Sequence, residues 1–404
     1  MQVLRPTSLG ELQQTVAEAY QKHLRIEIIG QGSKRGLGHA VEADIRLETS
    51  ALAGIEFYEP EELTLRVKAG TPLKQVIELI AACGQQLAFE PAFWGGVYGQ
   101  DNESATVGGL VACNACGPRR VIAGSVRDAL MGIEVVSGYG EIFHSGGRVM
   151  KNVTGFDLVK LMCGAHGTLG VLHSLTLQTV PVADSIQSVV FSGLSAERAG
   201  LLMRRALGSD LMVTAAAYLP TGFSRQLDLS AQQSTTLLRI EGPASAIQPR
   251  LQRLRKLVDQ QDLPGEFESL AEDQAAGRWQ AIRDLTFFHH DQRSLFKISL
   301  PSDRGPELLS NLTQDGQADA FLDWGGSLLW LAVDELDAAK AEKIRHQVAQ
   351  AGGHATLFRC SPELSQQIAF THPQPAALTA LSQRVRSNFD PRAILNPGRI
   401  WPAL

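Results

Sequence analysis

Lys151-Asn-Val-Thr-Gly-Phe-Asp-Leu-Val-Lys-Leu-Met-Cys-Gly-Ala-His-Gly-Thr-Leu-Gly170 is the stretch whose reading decides the fold. Its polar opening runs into Asp157-Leu-Val-Lys-Leu-Met, enough for a helical turn or more. Gly164, Gly167 and Gly170 then fall three apart. Glycines so spaced let a backbone turn sharply and come close to something flat or anionic. Directly after them, Leu169, Val171, Leu175 and Leu177 share one face of an alternating strand that ends before Pro181. Two readings fit this segment alone: a glycine-rich connection between core elements, or a wall of a ligand site. Two further glycine loops upstream favour the second.

The first of these is Gly30-Gln-Gly-Ser-Lys-Arg-Gly-Leu-Gly38, which follows the strand pattern Arg25-Ile-Glu-Ile-Ile. It is not a Rossmann loop, which needs Gly-x-Gly-x-x-Gly opening a long helix and an acidic residue about 20 positions on. Nor does Gly-Lys-Ser/Thr close it as in a Walker A loop. It offers a run of backbone N–H groups able to form an anion nest, with the Ser33 hydroxyl and Lys34 beside it. A pyrophosphate suits such a nest, and a surface hairpin with a basic tip is the plainer alternative. The second loop, Thr106-Val-Gly-Gly-Leu-Val-Ala-Cys-Asn-Ala-Cys-Gly117, is small and apolar. Such residues let main-chain groups reach a planar ring that charged or bulky side chains would obstruct. Cys113-x-x-Cys116 has no second Cys or His pair at zinc-ligand spacing, so no metal is expected.

Elsewhere the chain reads as ordinary α+β protein. Ser8 and Glu11 form a capping box before the stripe Leu9, Leu12, Val16, Ala19 and Tyr20. Leu63, Leu65, Val67 and Ala69 alternate as a strand, and Thr71-Pro72 suits N-cap and N1 of the next helix. Residues 133–137 and 141–144 form a hairpin around Gly138-Tyr-Gly140. Beyond Pro181 the order becomes strand 186–192, helix 195–207, strands 211–219 and 235–241, helix 244–261, which is a split βαβ arrangement. A similar order recurs: strand 294–300, helix 304–313, strands 319–324 and 327–333, helix 336–350, strand 355–358. Helix 374–388 and an extended tail close the chain. The 404 residues suffice for roughly two or three domains. A formal charge of -5 argues against nucleic acid as main partner. No apolar run approaches the ~18 residues that span a bilayer, and the N-terminus has no signal pattern, so a cytoplasmic location is expected. Five cysteines, an odd count, imply no disulfide framework.

Four features in this order resemble the FAD-binding domain of the vanillyl-alcohol oxidase / p-cresol methylhydroxylase superfamily: Gly30-Gln-Gly-Ser, Val67-Lys-Ala-Gly-Thr-Pro-Leu, Thr106-Val-Gly-Gly, and Gly164 to Val171. Within it the chain is similar to the FAD-binding E-subunit family of bacterial glycolate oxidases. That narrower likeness rests on Gly117-Pro-Arg-Arg, Gly124-Ser-Val-Arg-Asp, Val149-Met-Lys-Asn-Val-Thr-Gly-Phe-Asp, Lys297-Ile-Ser-Leu-Pro-Ser-Asp, Asp323-Trp-Gly-Gly, Gly352-Gly-His-Ala-Thr and Asn396-Pro-Gly-Arg. The resemblance implies a two-subdomain p-cresol methylhydroxylase-type FAD domain over 1–182, a ferredoxin-like α+β cap over 183–372, and a helix and tail, 373–404, returning to the FAD domain. Carried over, Gly30, Gln31, Gly32, Ser33 and Lys34 match the pyrophosphate loop. Thr106, Gly108, Gly109 and Ala112 match the loop beside the ribityl and isoalloxazine parts. Gly117, Ser125 and Arg127 match the following turn, and Gly164, Gly167, Gly170 and Val171 the segment that closes the site.

Two departures shape the expected chemistry. Some relatives attach FAD through a His in the first loop. Here that stretch holds Gln31, Ser33 and Lys34, with His39 further on, so FAD is expected to be non-covalent. Relatives that oxidise D-lactate or glycolate directly carry a His-rich metal motif, absent here, and His354 in Gly-Gly-His-Ala-Thr stands alone. The expected function is glycolate (or D-lactate-like 2-hydroxy-acid) oxidation within a complex containing a second FAD-binding subunit and an iron–sulfur subunit. The membrane is reached only indirectly, at the inner membrane through those partners. The missing metal motif points to glycolate oxidation mainly on the partner subunit, with this chain relaying electrons or assisting structurally. The alternatives are a self-sufficient flavin oxidoreductase and a non-catalytic structural subunit. Oxidising a 2-hydroxy acid needs a base, an electron acceptor and a cation for the carboxylate. His354 is the candidate base, and Lys297, Arg120, Lys151 and Arg399 are candidate carboxylate clamps.

Overall fold

The computed structural model describes residues 1–148, 155–230, 232–260 and 267–400. Lys151 and most of the motif around it lie outside the described residues. The chain divides into two compact units. The first comprises Met1–Cys116, Gly124–Pro181 and the chain from Ala369 onward; the second comprises Gly117–Ala123 and Val182–Ile368.

Among the described residues the first unit holds two main sheets, besides a two-stranded pairing of Gln85–Gln86 with Val180–Pro181. Strands Gln2–Leu4, Ile45–Glu48 and Ile26–Ile29 form a parallel sheet with Ile45–Glu48 in the centre. The helix Leu9–Lys22 covers it, burying Leu12, Val16 and Ala19 on one face as its period requires. Ser8 caps this helix by accepting from the Glu11 amide, but the Glu11 carboxylate takes the Thr7 amide instead of closing the box on Ser8. The C-terminal tail enters the same core. Ile394 and Leu395 are fully enclosed, the Ile26 amide donates to the Ile394 carbonyl, and the Asn396 amide donates to the Ile26 carbonyl.

The second sheet is antiparallel, in the order Ile55–Glu59, Thr64–Lys68, Val171–Gln178, Leu130–Val136, Ile142–Gly146. Its centre is the strand that follows the glycine segment, with Leu175 opposite Val67 on one side and Ile133 on the other. That strand is buried on both faces, which is why apolar residues at alternate positions describe only half of its packing. The helix after Thr71-Pro72 runs Leu73–Ala81, but Thr71 does not cap it. The Thr71 hydroxyl accepts from the Gly54 amide at 2.9 Å, and Pro72 stands at the N-cap.

The second unit is one eight-stranded antiparallel sheet made of two halves of the same design. In the first half, strands Ser185–Ser192, Val213–Leu219, Thr235–Gly242 and Glu268–Ala271 and helices Ala196–Leu207 and Ala244–Gln260 give β-α-β-β-α-β, with spatial order fourth, first, third, second. The second half repeats this with strands Ser294–Ser299, Ala318–Asp323, Leu328–Val333 and His354–Arg359 and helices Gly305–Thr313 and Ala338–Gln350. This is the ferredoxin-like arrangement twice over, joined where Tyr218 pairs with Leu322. Leu202, Leu254, Leu309 and Ile344 from the four helices pack into one core with the sheet. Strand Glu268–Ala271 and helix Glu272–Asp284 have no counterpart in the sequence reading. The strand is short and buries one side chain, Leu270, so it carries almost no periodic signal.

Candidate flavin site

The cleft of the first unit is assembled from four stretches of chain, and has about 530 Å³ of empty space. The loop after strand Ile26–Ile29 supplies Gly30, Gln31, Gly32, Ser33 and Lys34. Gly32 turns the chain with φ +85°. The Arg35 amide closes onto the Gly32 carbonyl, while among the described residues the amides of Gln31, Gly32, Ser33 and Lys34 have no acceptor. The second stretch supplies Thr106, Gly109, Ala112 and Cys113, the third His166, and the tail Asn396 and Arg399.

Local chemistry explains these placements. Thr106 caps the helix Val107–Cys113 by accepting from the Gly109 amide at 3.2 Å. Gly30 passes so close to that cap that a Cβ on it would sit 2.3 Å from Thr106 Oγ1. At Gly109 a Cβ would meet Thr106 Oγ1 at 3.2 Å and Lys34 Nζ at 3.8 Å, so this glycine leaves room beside the lysine. Burial pushes the Lys34 ammonium below its ordinary pKa, the nearby Cys113 thiol opposing weakly. Among the described residues no carboxylate pairs with it. Unbonded amides around a desolvated cation without a counter-ion suit a diphosphate, and small residues opposite them leave space for the remainder of FAD. The residues therefore fit that cofactor.

The tail is the part of the site that sequence reasoning undervalued. The Asn396 carboxamide accepts from the Ile28 amide at 2.7 Å and donates to the His166 carbonyl at 2.8 Å. Arg399 donates to the carbonyls of Arg35 and Leu37 at 2.7 and 3.2 Å and faces Glu27 at 3.5 Å. Its guanidinium is thus committed to bracing the first loop, not to clamping a substrate carboxylate. Glu27, 2% exposed, also holds Arg35 and Arg46. Burial would raise its pKa, but the Arg35 and Arg46 hydrogen bonds outweigh this and hold it low. The signal for Asn396 and Arg399 was the Asn-Pro-Gly-Arg motif itself, and for His166 its place between two glycines.

Several expected residues stand outside the cleft lining. Gly108 packs on Ala69, where a Cβ would come within 2.8 Å. Gly170 packs on Val135, and Val171 belongs to the core. Gly164, with φ +81°, donates its amide to the Val111 carbonyl, and Gly167, with φ +70°, passes beneath the Asn396 carboxamide. Gly164, Gly167, Gly170 and Val171 shape the wall that holds His166. Ser125 caps Val126–Ala129 in a box with Asp128, and Arg127 donates to the Lys160 carbonyl. Gly117 lies in the second unit and accepts from Trp324 Nε1 at 3.1 Å. His39 does not line the cleft, and its Nε2 accepts from the Phe370 amide. Burial raises the Cys163 thiol to about 12, and among the described residues no cluster of His, Cys, Asp or Glu is placed to hold a metal.

His354, Lys297 and Arg120 all belong to the second unit. Trp324 carries the two cations. Arg120 Cζ lies 4.4 Å from its ring centroid, and Lys297 Nζ lies 5.4 Å from it and 5.8 Å from that of Trp330. Arg120 has no acidic partner among the described residues, whereas neighbouring Arg119 is paired with buried Glu241. Strand pairing sets His354 opposite Ser299, two residues from Lys297. Desolvation, then the Lys297 charge, pulls the His354 pKa below its usual value, so its imidazole is neutral near pH 7.

A cleft whose lining fits a diphosphate, on this scaffold, points to an FAD-binding flavoprotein. Residues 1–146 match the model of the FAD binding domain family. The chain is 31% identical over 395 residues to glycolate oxidase subunit GlcE of Escherichia coli (strain K12), covering 97% of each, and it belongs to that family. It is 32% identical over 169 residues to a D-lactate dehydrogenase of Anaerostipes hadrus, covering 41% of this chain and 34% of that one. Among solved structures it is similar to p-cresol methylhydroxylase, with TM-score 0.73 and 13% identity, covering 99% of this chain and 88% of that one.

Proposed function

We propose that this chain is the FAD-carrying subunit of a complex that oxidises glycolate, or a D-lactate-like 2-hydroxy acid, to the 2-oxo acid and passes the electrons to an iron–sulfur subunit. A second FAD-binding subunit completes the complex. Residues 1–182 act as the FAD domain, 183–372 as the cap and 373–404 as the returning tail. The observation that carries this reading is the cleft of Gln31–Lys34 amides and of Lys34, which has no carboxylate partner among the described residues, in a chain similar end to end to a glycolate oxidase subunit. Among the described residues no helix is long and apolar enough to cross a membrane. The proposed location is cytoplasmic, peripheral at the inner membrane through the partners.

FAD would be held without a covalent link, by the Gln31–Lys34 amides and the Lys34 ammonium. Bound there, it supplies a two-electron acceptor. Arg120 and Lys297, fixed on Trp324, hold the substrate carboxylate. Neutral His354 takes the hydroxyl proton on an imidazole nitrogen. Desolvation first, and the Lys297 charge second, keep that imidazole unprotonated before the reaction. The test is anaerobic addition of glycolate to the purified yellow protein, alone and co-expressed with the other two subunits. Bleaching of the flavin absorbance in the isolated chain supports catalysis here, and bleaching only in the complex assigns the substrate to the partner's flavin. A colourless purified chain that takes up no FAD overturns the reading.

A further inference from the structure

We infer that Cys113 and Cys163 form a redox-active thiol pair: in protein without FAD a hydroperoxide oxidises Cys113, and Cys163 resolves the product to a disulfide. The control by FAD rests on the reading of the cleft as the flavin site; the pairing of the two thiols does not. Three cysteines gather where the helix Val107–Cys113 meets the segment Gly164–Gly170. Cys113 ends that helix, lines the cleft and is partly exposed, whereas Cys116 and Cys163 are buried. Cys163 Sγ lies 3.4 Å from the Val111 carbonyl, in the turn that Cys113 completes. Two backbone bonds hold the segments together there: the Gly164 amide donates to the same Val111 carbonyl at 3.0 Å, and the His166 amide to the Ala112 carbonyl at 2.9 Å. Cys113 is the next residue. The chain leaves the helix through Asn114, with φ 48°, and Cys116 pairs with Pro91 in a β-bridge, so Cys163 is the better partner for Cys113.

The surroundings divide the roles. Lys34 and Arg399 line the cleft with Cys113. Gly109 is one helical turn before Cys113 and on its face, and a Cβ there would stand 3.8 Å from Lys34 Nζ. The ammonium and the Arg399 guanidinium both interact electrostatically with Cys113. Cations favour the thiolate, and reactive cysteines sit in such partly exposed, electropositive places. Cys163 is the opposite case. Burial, with Cys116 and Cys113 adding to it, pushes its thiol up to about 12, so it waits as a thiol. In the first step the Cys113 thiolate attacks the peroxide, the O–O bond breaks, and Cys113 becomes a sulfenic acid while the peroxide leaves as alcohol or water. In the second step Cys163 sulfur displaces the hydroxyl, the S–S bond forms, and the Cys163 proton leaves with the hydroxyl as water. The two thiols lose two electrons and the peroxide gains them. Bound FAD would cover Cys113, so the pair marks protein that has lost its cofactor.

The experiment treats the full chain, with and without FAD, with hydrogen peroxide, blocks remaining thiols, and analyses unreduced peptides by mass spectrometry. The expected result without FAD is a Cys113–Cys163 linked peptide that dithiothreitol releases. With FAD bound, the same link should form at least about tenfold more slowly. Cys116→Ser should keep the link, and Cys163→Ser should leave a Cys113 sulfenic acid that dimedone traps. That trapped adduct separates a resolving role for Cys163 from a failure to fold, and circular dichroism of each variant checks the fold directly. A link between Cys113 and Cys116, a link between Cys116 and Cys163, or Cys113 left reduced by peroxide overturns the inference. Equal rates with and without FAD overturn the control by cofactor while the cleft still binds it. A chain that takes up no FAD yet forms the Cys113–Cys163 link removes the flavin reading and leaves the thiol pair standing.

Discussion

Asn396 and His166, far apart in sequence, meet at the edge of the flavin cleft: the carboxamide donates to the His166 carbonyl at 2.8 Å while accepting from the Ile28 amide at 2.7 Å. One side chain from the tail thus ties the strand before the first glycine loop to the segment Gly164–Gly170. Asn396→Ala leaves both backbone groups without that partner, at about 1–3 kcal/mol each where water cannot replace it. FAD titration of the apoprotein, followed by fluorescence quenching, should show affinity weakened about tenfold or more. Asn396→Asp keeps the acceptor for Ile28 and places an oxygen against the His166 carbonyl, so it should rescue little. Wild-type affinity in both variants would mean that the tail braces nothing the cofactor needs.

Lys34 gives the cleft a pH signature. Its pKa is depressed by burial in the folded apoprotein, so the unfolded chain binds more protons across the window between that depressed value and the ordinary lysine value. Apoprotein stability should therefore rise with pH through that window. Bound diphosphate favours the ammonium, so FAD affinity should fall as pH rises through the same window. Lys34→Met should flatten both profiles and weaken FAD binding at neutral pH. Thermal unfolding and FAD titration as functions of pH check both signs.

Two glycines of the cleft should respond oppositely to alanine. Gly30→Ala forces a methyl into Thr106 Oγ1 at 2.3 Å, disturbing a helix cap, and should lower stability by about 1–3 kcal/mol. Gly109→Ala lies within the helix Val107–Cys113 and adds helix propensity of about 1 kcal/mol, provided the Thr106 hydroxyl, 3.2 Å from the new methyl, gives by a few tenths of an ångström. Its methyl fills space beside Lys34, so this variant should unfold at higher temperature as apoprotein yet hold FAD less tightly. Calorimetry of apo and reconstituted protein separates the two effects.

Much of this site was legible in the chain because glycine is informative where a backbone must approach something. The first loop and Thr106, Gly109 and Ala112 all line the cleft. The same rule misled at Gly108 and Gly170, where the close neighbour is the protein itself, Ala69 in one case and Val135 in the other. Composition cannot tell a ligand from a packed side chain. Asn396 and Arg399 were visible as a motif, but their work depends on backbone groups brought near by tertiary folding. In the second unit the repeated order of helices and strands was readable from apolar period. The edge strand Glu268–Ala271 was not, because one buried side chain makes no pattern. Thr71 shows a local preference overridden: a residue suited to capping a helix instead holds the Gly54 amide.

Acid should find the first unit's weak point at Glu27. Its carboxylate, enclosed and bonded to Arg35 and Arg46 with Arg399 at 3.5 Å, is held below its ordinary pKa in spite of burial. A lowered carboxylate contributes stability above the unfolded value, about 4.3 for Glu. That contribution disappears as pH falls through the folded value. Glu27→Gln leaves the buried Arg399 without its counter-charge and should cost about 3 kcal/mol at pH 7. The wild-type advantage should shrink on acidification, as measured by denaturant melts between neutral pH and the acid limb.

Lys297 and His354 make the last prediction one of proton affinity. The ammonium holds the imidazole pKa down, second to desolvation, so removing it as Lys297→Met should raise the His354 pKa. If His354 is the base, it works only when neutral, and the acid limb of the rate profile must then move to higher pH. The same change takes away a carboxylate partner, so KM for glycolate should rise as well. His354→Gln should lower kcat, remove that limb and leave KM nearly unchanged, which a purely structural histidine would not do. Steady-state rates against pH for the complex containing each variant, with a dye as acceptor, distinguish these patterns. An acid limb unmoved by Lys297→Met, together with full turnover by His354→Gln, would transfer the chemistry to the partner's flavin.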